Sequence, residues 1–137
     1  MRRFKNILLF ADRQEGLSST LSRVIALAKS NNAKLTIMDV TPDSGLADYI
    51  NKTYDIDLNA QLRDQRLQML KQLAEPLNDI SVTVDTRVVT GIPFIEVIRA
   101  VLRHNHDLVV KVAQHDSGLT ASLFGSTDMH LLRKCPC

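Results

Sequence analysis

Residues 107–134, DLVVKVAQHDSGLTASLFGSTDMHLLRK, set a short valine-rich run, a long polar loop and the start of a helix one after another. Asp107 to Val112 is nearly all apolar, which is how a parallel strand covered on both faces reads. Gly118 falls within the loop. Gly125, Ser126 and Thr127 supply a flexible turn and two N-cap candidates for a helix running from about Asp128 through Leu131 and Leu132. The unpaired N–H groups of that helix and the positive end of its dipole point back toward the strand's carboxyl end. That junction is a ready place for an anion such as a phosphate.

The same strand-then-helix pattern runs through the rest of the chain. NILLFA, Asn6 to Ala11, reads as a first buried strand closed by the polar turn Asp12 to Gly16. Leu17, Leu21, Val24, Ile25 and Ala28 recur at helical spacing, and Ser30-Asn31-Asn32 supplies the stop. KLTIMDV, Lys34 to Val40, is the second strand, broken by Thr41 to Gly45. Residues 46–57 carry no clean period. From Leu58 onward, Leu62, Met69, Leu70, Leu73 and Leu77 mark the apolar face of what should be the longest helix, while Arg63, Asp64, Arg66 and Lys71 form its solvated face. Val82 to Thr90 alternates as a half-buried strand does, and Gly91-Ile92-Pro93 leads into a helix with the stripe Phe94, Val97, Ile98, Val101 and Leu102. Strand and helix thus alternate four times, which predicts an α/β fold: a single doubly wound parallel sheet with helices on both faces, Rossmann-like. Ligands of such sheets bind outside the carboxyl ends of the strands. With the first and fourth strands as neighbours, Asp12 and the loop after Val112 face each other across that crevice.

Composition narrows the function classes. A chain of 137 residues fits one domain with a single core, and 45% hydrophobic against 23% charged residues disfavours disorder. A formal charge of +2 is too balanced for the electrostatic footprint of a nucleic-acid binder. The run Ile7 to Ala11 is too short for a signal-peptide core or a membrane helix, so a cytoplasmic protein without a membrane partner is expected. Cys135 and Cys137 sit too close in the C-P-C ending to staple a fold, which fits a reducing compartment.

Several residue groups carry two readings. His104, His106 and Asp107 have metal-ligating types, yet i and i+2 spacing at a helix-to-strand joint seldom converges. His130, Cys135 and Cys137 are suitable for zinc or copper but lack a fourth ligand, and no metal site is assigned. Ser126 and Thr127 are better helix caps than nucleophiles, because sequence places no histidine and carboxylate to activate them. Met129, Leu131 and Leu132 read as core. Asp12 reads as a solvated cap on its turn, and His115 as an exposed loop histidine.

The ordered motifs NILLFAD (Asn6 to Asp12), TGIPFIEVI (Thr90 to Ile98), HDLVVK (His106 to Lys111), Ser117-Gly118-Leu119 and Gly125-Ser126 resemble the universal stress protein family over essentially the whole chain. LVVKVAQHD and the tail TDMHLLRKCPC are most similar to the N-terminal half of the family's tandem E-type members. The resemblance implies a domain over residues 1–137 that forms one half of a longer tandem protein, and a final sheet strand absent from this chain, leaving the fourth strand as an exposed edge. It also implies a ligand or nucleotide site drawn from Ala11, Asp12, Val40, Lys111, Val112, His115, Gly125, Ser126 and Thr127, with Asp12 at an adenine edge. Nucleotide-binding members carry G-x-x-G, nine residues, then G-[ST]. Here the first two glycines fall on Val112 and His115, where side chains occupy space that a glycine leaves open. Asp116 and Asp128 add negative charge near the expected phosphates.

The resulting expectation is a non-catalytic stress-response domain, not an enzyme, without a resident cofactor, that binds a small-molecule ligand or a partner domain in the crevice by the fourth strand. The partner is a second copy in a homodimer or an intramolecular second domain. The alternative is an ATP- or AMP-binding member with slow or no hydrolysis. A third class, adenylate-forming enzymes, needs signatures such as S-G-G-x-D-S, H-I-G-H or K-M-S-K-S, and the sequence has none of them.

Overall fold

Asn6–Phe10 form the first strand, β1, and Ile7, Leu8, Leu9 and Phe10 are all fully buried. The structure, a computed structural model, describes residues 4–12, 16–41, 52–53, 58–77, 82–112, 131 and 133–136. A strand with both faces apolar must be covered on both sides, and two separate clusters cover this one. Ile7, Leu9 and Ala11 join Leu35 and Ile37 beneath the first two helices. Leu8 and Phe10 join Met38 and Val40 beneath the third helix, at Val97, Ala100 and Val101. The period-2 geometry of the strand sends alternate residues to opposite clusters.

The other elements follow in chain order: α1 (Leu17–Asn31), β2 (Lys34–Thr41), α2 (Leu58–Ala74, with a further turn of 3-10 helix at Glu75–Leu77), β3 (Val84–Thr90), α3 (Pro93–His104) and β4 (Leu108–Lys111). The sheet is parallel throughout, in the order β3-β2-β1-β4. β1 therefore lies between β2 and β4, in register with Phe10 opposite both Met38 and Lys111.

Local chemistry sets the helix ends. Gly16 precedes α1 with φ 76°, a left-handed conformation that glycine adopts without a Cβ penalty, and its carbonyl accepts from Thr20 N–H. α1 ends at Asn32, also left-handed, where Ala33 N–H donates back to the Ala28 carbonyl at 2.8 Å. Pro93 opens α3, where its missing N–H is of no consequence, and Asn105 in a left-handed conformation closes it.

The sheet, the strand-helix alternation and the pairing of the first strand with the fourth match the expectation from sequence. Four details differ. Leu102 is 63% exposed and Ala100 takes its place on the buried face of α3. At 3.6 residues per turn, Leu102 points roughly 140° away from Val97. Met69 is 41% exposed, because Leu70, Leu73 and Ala74 occupy the inner face of α2 and leave it at the edge. Arg66 is exposed on the solvated face as expected, but it does more than meet water: its Nη1 lies 3.4 Å from Oδ2 of Asp39 on β2. β4 is only half-buried along its length rather than covered on both faces, and among the described residues it is the edge strand that the resemblance implies, with β1 on one side alone. Leu131 is half-buried and packs with Cys135 on the α3 side, whereas Met129 and Leu132 lie outside the described residues.

Candidate functional site

Parallel register brings the carboxyl ends of β1, β2 and β4 together, and with them Ala11, Asp12, Val40, Lys111 and Val112. Ala11 and Val40 are buried floor residues, and Ala11 N–H donates to the Met38 carbonyl at 2.7 Å. Asp12 is 26% exposed, and the turn that follows it lies outside the described residues. Its Oδ2 lies 3.3 Å from Nζ of Lys111, whose side chain is only 10% exposed. Lys111 Nζ also donates to the carbonyl of Val112 at 3.2 Å. Asp12 Oδ1 is buried and has no hydrogen-bond partner among the described residues. A buried carboxylate oxygen without a donor is costly, and an incoming N–H or O–H would relieve that cost.

Val112 leans the other way, onto the cluster under α1 and α2. A Cβ added at Gly16 would come to 3.5 Å from its Cγ1. The valine thus stands beside the N-terminus of α1, where the resembled loop pattern has a glycine. His115, Gly125, Ser126 and Thr127 lie outside the described residues, as do His130 and Cys137.

Sequence reading missed Asp39. This residue is 4% exposed near the carboxyl end of β2, one position before Val40, and its Oδ1 accepts from Val40 N–H at 2.7 Å. Oδ2 lies 3.4 Å from Nη1 of Arg66. Burial pushes the Asp39 carboxyl above its ordinary range, and Asp12 adds to the rise, against the pull of the Val40 N–H and the Arg66 guanidinium. Asp39 and Arg66 sit in a cleft of about 310 Å³ with Ala11, Leu17, Ser18 and Leu70 among its walls. The available signal was a lone acid inside the two-face-buried strand KLTIMDV, a position that demands a partner.

At the opposite end of β1, the proposed metal-type residues do other work. Both oxygens of Asp107 accept backbone N–H groups, from Lys5 at 2.7 Å and Asn6 at 3.1 Å. His106 Nδ1 is 2.9 Å from Asn6 Oδ1, and Asn6 Nδ2 donates to the His104 carbonyl at 2.7 Å. These bonds clip the turn after α3 to the start of β1. Burial, with His104, Arg87 and Lys34 nearby, holds the His106 pKa below its ordinary value.

A model described as the universal stress protein family matches residues 3–137. Universal stress protein E of Photorhabdus laumondii is 25% identical over 142 residues, covering 100% of this chain and 45% of that protein. The chain spans about half the length of the E-type relatives it matches. Among solved structures, universal stress protein UspA from Lactobacillus plantarum aligns with a TM-score of 0.74 at 20% identity, covering 98% of this chain and 94% of the other. A universal stress protein crystallised in complex with cAMP aligns with a TM-score of 0.61 at 18% identity, covering 97% of this chain and 91% of the other.

Proposed function

The chain belongs to the universal stress protein family, and from that premise we propose that it is a non-catalytic stress-response domain whose crevice at the ends of β1 and β4 holds a ligand or a partner domain. The observation that carries this reading is the Asp12–Lys111 pair, in which Lys111 is nearly enclosed and Asp12 Oδ1 is buried with no hydrogen-bond partner among the described residues. An ion pair already neutralised, flanked by Ala11, Val40 and Val112, suits recognition of a donor group more than bond-making chemistry. The partial coverage of the E-type relatives supports a second family domain in the same polypeptide as the partner, with a homodimer as the equivalent arrangement for a single domain.

A second reading is nucleotide binding, through ATP or AMP, with slow or no hydrolysis. The free Asp12 oxygen is suited to accept from an adenine amino group, and the cAMP-bound relative shares the fold. Val112 beside Gly16 weighs against it, because a branched side chain stands where the nucleotide-binding pattern has glycine.

Thermal unfolding with and without Mg-ATP, AMP and cAMP separates the two. A nucleotide at a hundredfold its Kd stabilises the domain by about 2.7 kcal/mol. The partner reading expects no such shift, together with concentration-dependent association or stable pairing with a second family domain. A chain that stays monomeric, pairs with no such domain and carries no co-purifying small molecule by native mass spectrometry would overturn the crevice as a binding site.

A further inference from the structure

A second cavity, of about 170 Å³, opens between β3 and α3 and shares none of its lining with the Asp12–Lys111 crevice or the Asp39 cleft. Arg87 reaches it from β3, and Arg99, Arg103 and His104 from α3; Met38 contributes apolar floor. The one acid on its wall, Glu96, is taken by Arg99 at 2.8 Å. Arg87 and Arg103 have no hydrogen-bond or ion-pair partner among the described residues. We propose that this groove, whose lining brings together Arg87 and Arg103, both without a partner among the described residues, and His104, binds a phosphate-class dianion: inorganic phosphate or a small phosphomonoester.

The last-turn position of Arg103 and His104 has an ordinary explanation, since cations there complement the negative end of the α3 dipole. Arg87 does not. It comes from a half-buried strand position opposite Met38, and adds like charge to the same cavity. The crowding shows in His104, which is exposed yet has its pKa held below its ordinary value by slight desolvation and then by Arg87, Arg103 and Lys34. Lys34 is itself paired with Asp85 at 3.2 Å, so the uncompensated charge is that of Arg87 and Arg103. Like charges gathered on one groove repel, less so where solvent screens the exposed Arg103 and His104, and a bound anion would offset that repulsion. Guanidinium forks suit phosphate oxygens because they offer parallel N–H donors with full charge. At about 170 Å³ the groove has room for a phosphate group.

Calorimetry on the full chain at constant ionic strength tests this, with inorganic phosphate and glycerol 2-phosphate as probes against chloride. Saturable binding of either phosphate is expected. Arg87→Gln and Arg103→Gln should each weaken it about tenfold, the scale of one charge-assisted hydrogen bond, and the double variant should abolish it. Lys71→Gln, on the exposed face of α2, should change nothing. An independent readout in the unaltered chain is the His104 imidazole: its NMR-measured pKa should rise as phosphate fills the groove and not in matched chloride. Phosphate binding that is equally tight in Arg87→Gln, phosphate no tighter than chloride, an unmoved His104 pKa, or binding only of an acidic peptide would each overturn the proposal.

Discussion

Nζ of Lys111, on the edge strand β4, lies 3.3 Å from Oδ2 of Asp12 at the end of β1. The two residues are ninety-nine positions apart in sequence, yet the Phe10–Lys111 register of the parallel sheet makes their side chains neighbours.

Replacing Lys111 by Met should leave the Asp12 carboxylate without its countercharge. The Lys111 side chain is 10% and that of Asp12 26% exposed, so the cost is expected at about 1–3 kcal/mol, below that of a fully buried pair. Urea unfolding of Lys111→Met, Asp12→Asn and the double variant measures it. The double variant should recover part of the loss, and simple additivity would mean that the pair is not coupled.

Restoring glycine at both altered loop positions, Val112→Gly with His115→Gly, should raise affinity for adenine nucleotides. The gain is about tenfold for each 1.4 kcal/mol of steric conflict relieved. The double variant loses valine packing beside Gly16, so circular dichroism must first establish that it is folded. A folded double variant with unchanged ATP affinity by calorimetry would remove Val112 and His115 as the obstacle.

Asp39 carries a folded-state pKa raised above 3.8, chiefly by burial. A raised carboxylate favours the folded state in its protonated form. Its contribution is fully present below the unfolded pKa and is lost as pH rises through the folded one. Asp39→Asn, which keeps an acceptor for Val40 N–H, should therefore be more stable than the parent at pH 7, with the advantage shrinking as pH falls toward the unfolded value. A variant less stable at neutral pH would show that the Arg66 pairing outweighs burial.

His106 behaves oppositely across a higher window. Its pKa is lowered from 6.5, so the neutral ring is the one that folds. The stability it confers is present above 6.5 and is lost as pH falls from there through the folded value. His106→Gln should flatten that part of the stability-versus-pH curve while keeping a donor toward Asn6 Oδ1. An equally steep decline in the variant would assign the acid sensitivity to other groups.

Asp107→Ala removes the acceptor for two backbone N–H groups, Lys5 and Asn6. A loss of about 1–3 kcal/mol is expected. Hydrogen exchange should show it first as faster exchange at Lys5 and Asn6, ahead of Leu8 or Leu9.

The order of elements was legible because short-range rules govern it. β1 is a continuous apolar run that a two-sided burial explains, β2 is rich in β-branched residues with partial alternation, Pro93 and Asn32 mark helix ends by their own backbone preferences, and strands alternating with helices leave a parallel sheet as the natural arrangement. Sequence also brought Asp12 and Val112 to one crevice, since the ends of parallel neighbours coincide. It did not reveal what their side chains do there. Lys111 turning inward to Asp12, Arg66 crossing from α2 to a buried Asp39, and Arg87 joining Arg103 and His104 around one cavity each depend on register and helix rotation. Those are set by the packing of distant residues. A helical period says which face is apolar on average, but a long charged side chain on its border can snorkel to water or reach inward. Only the position of the opposing strand decides which.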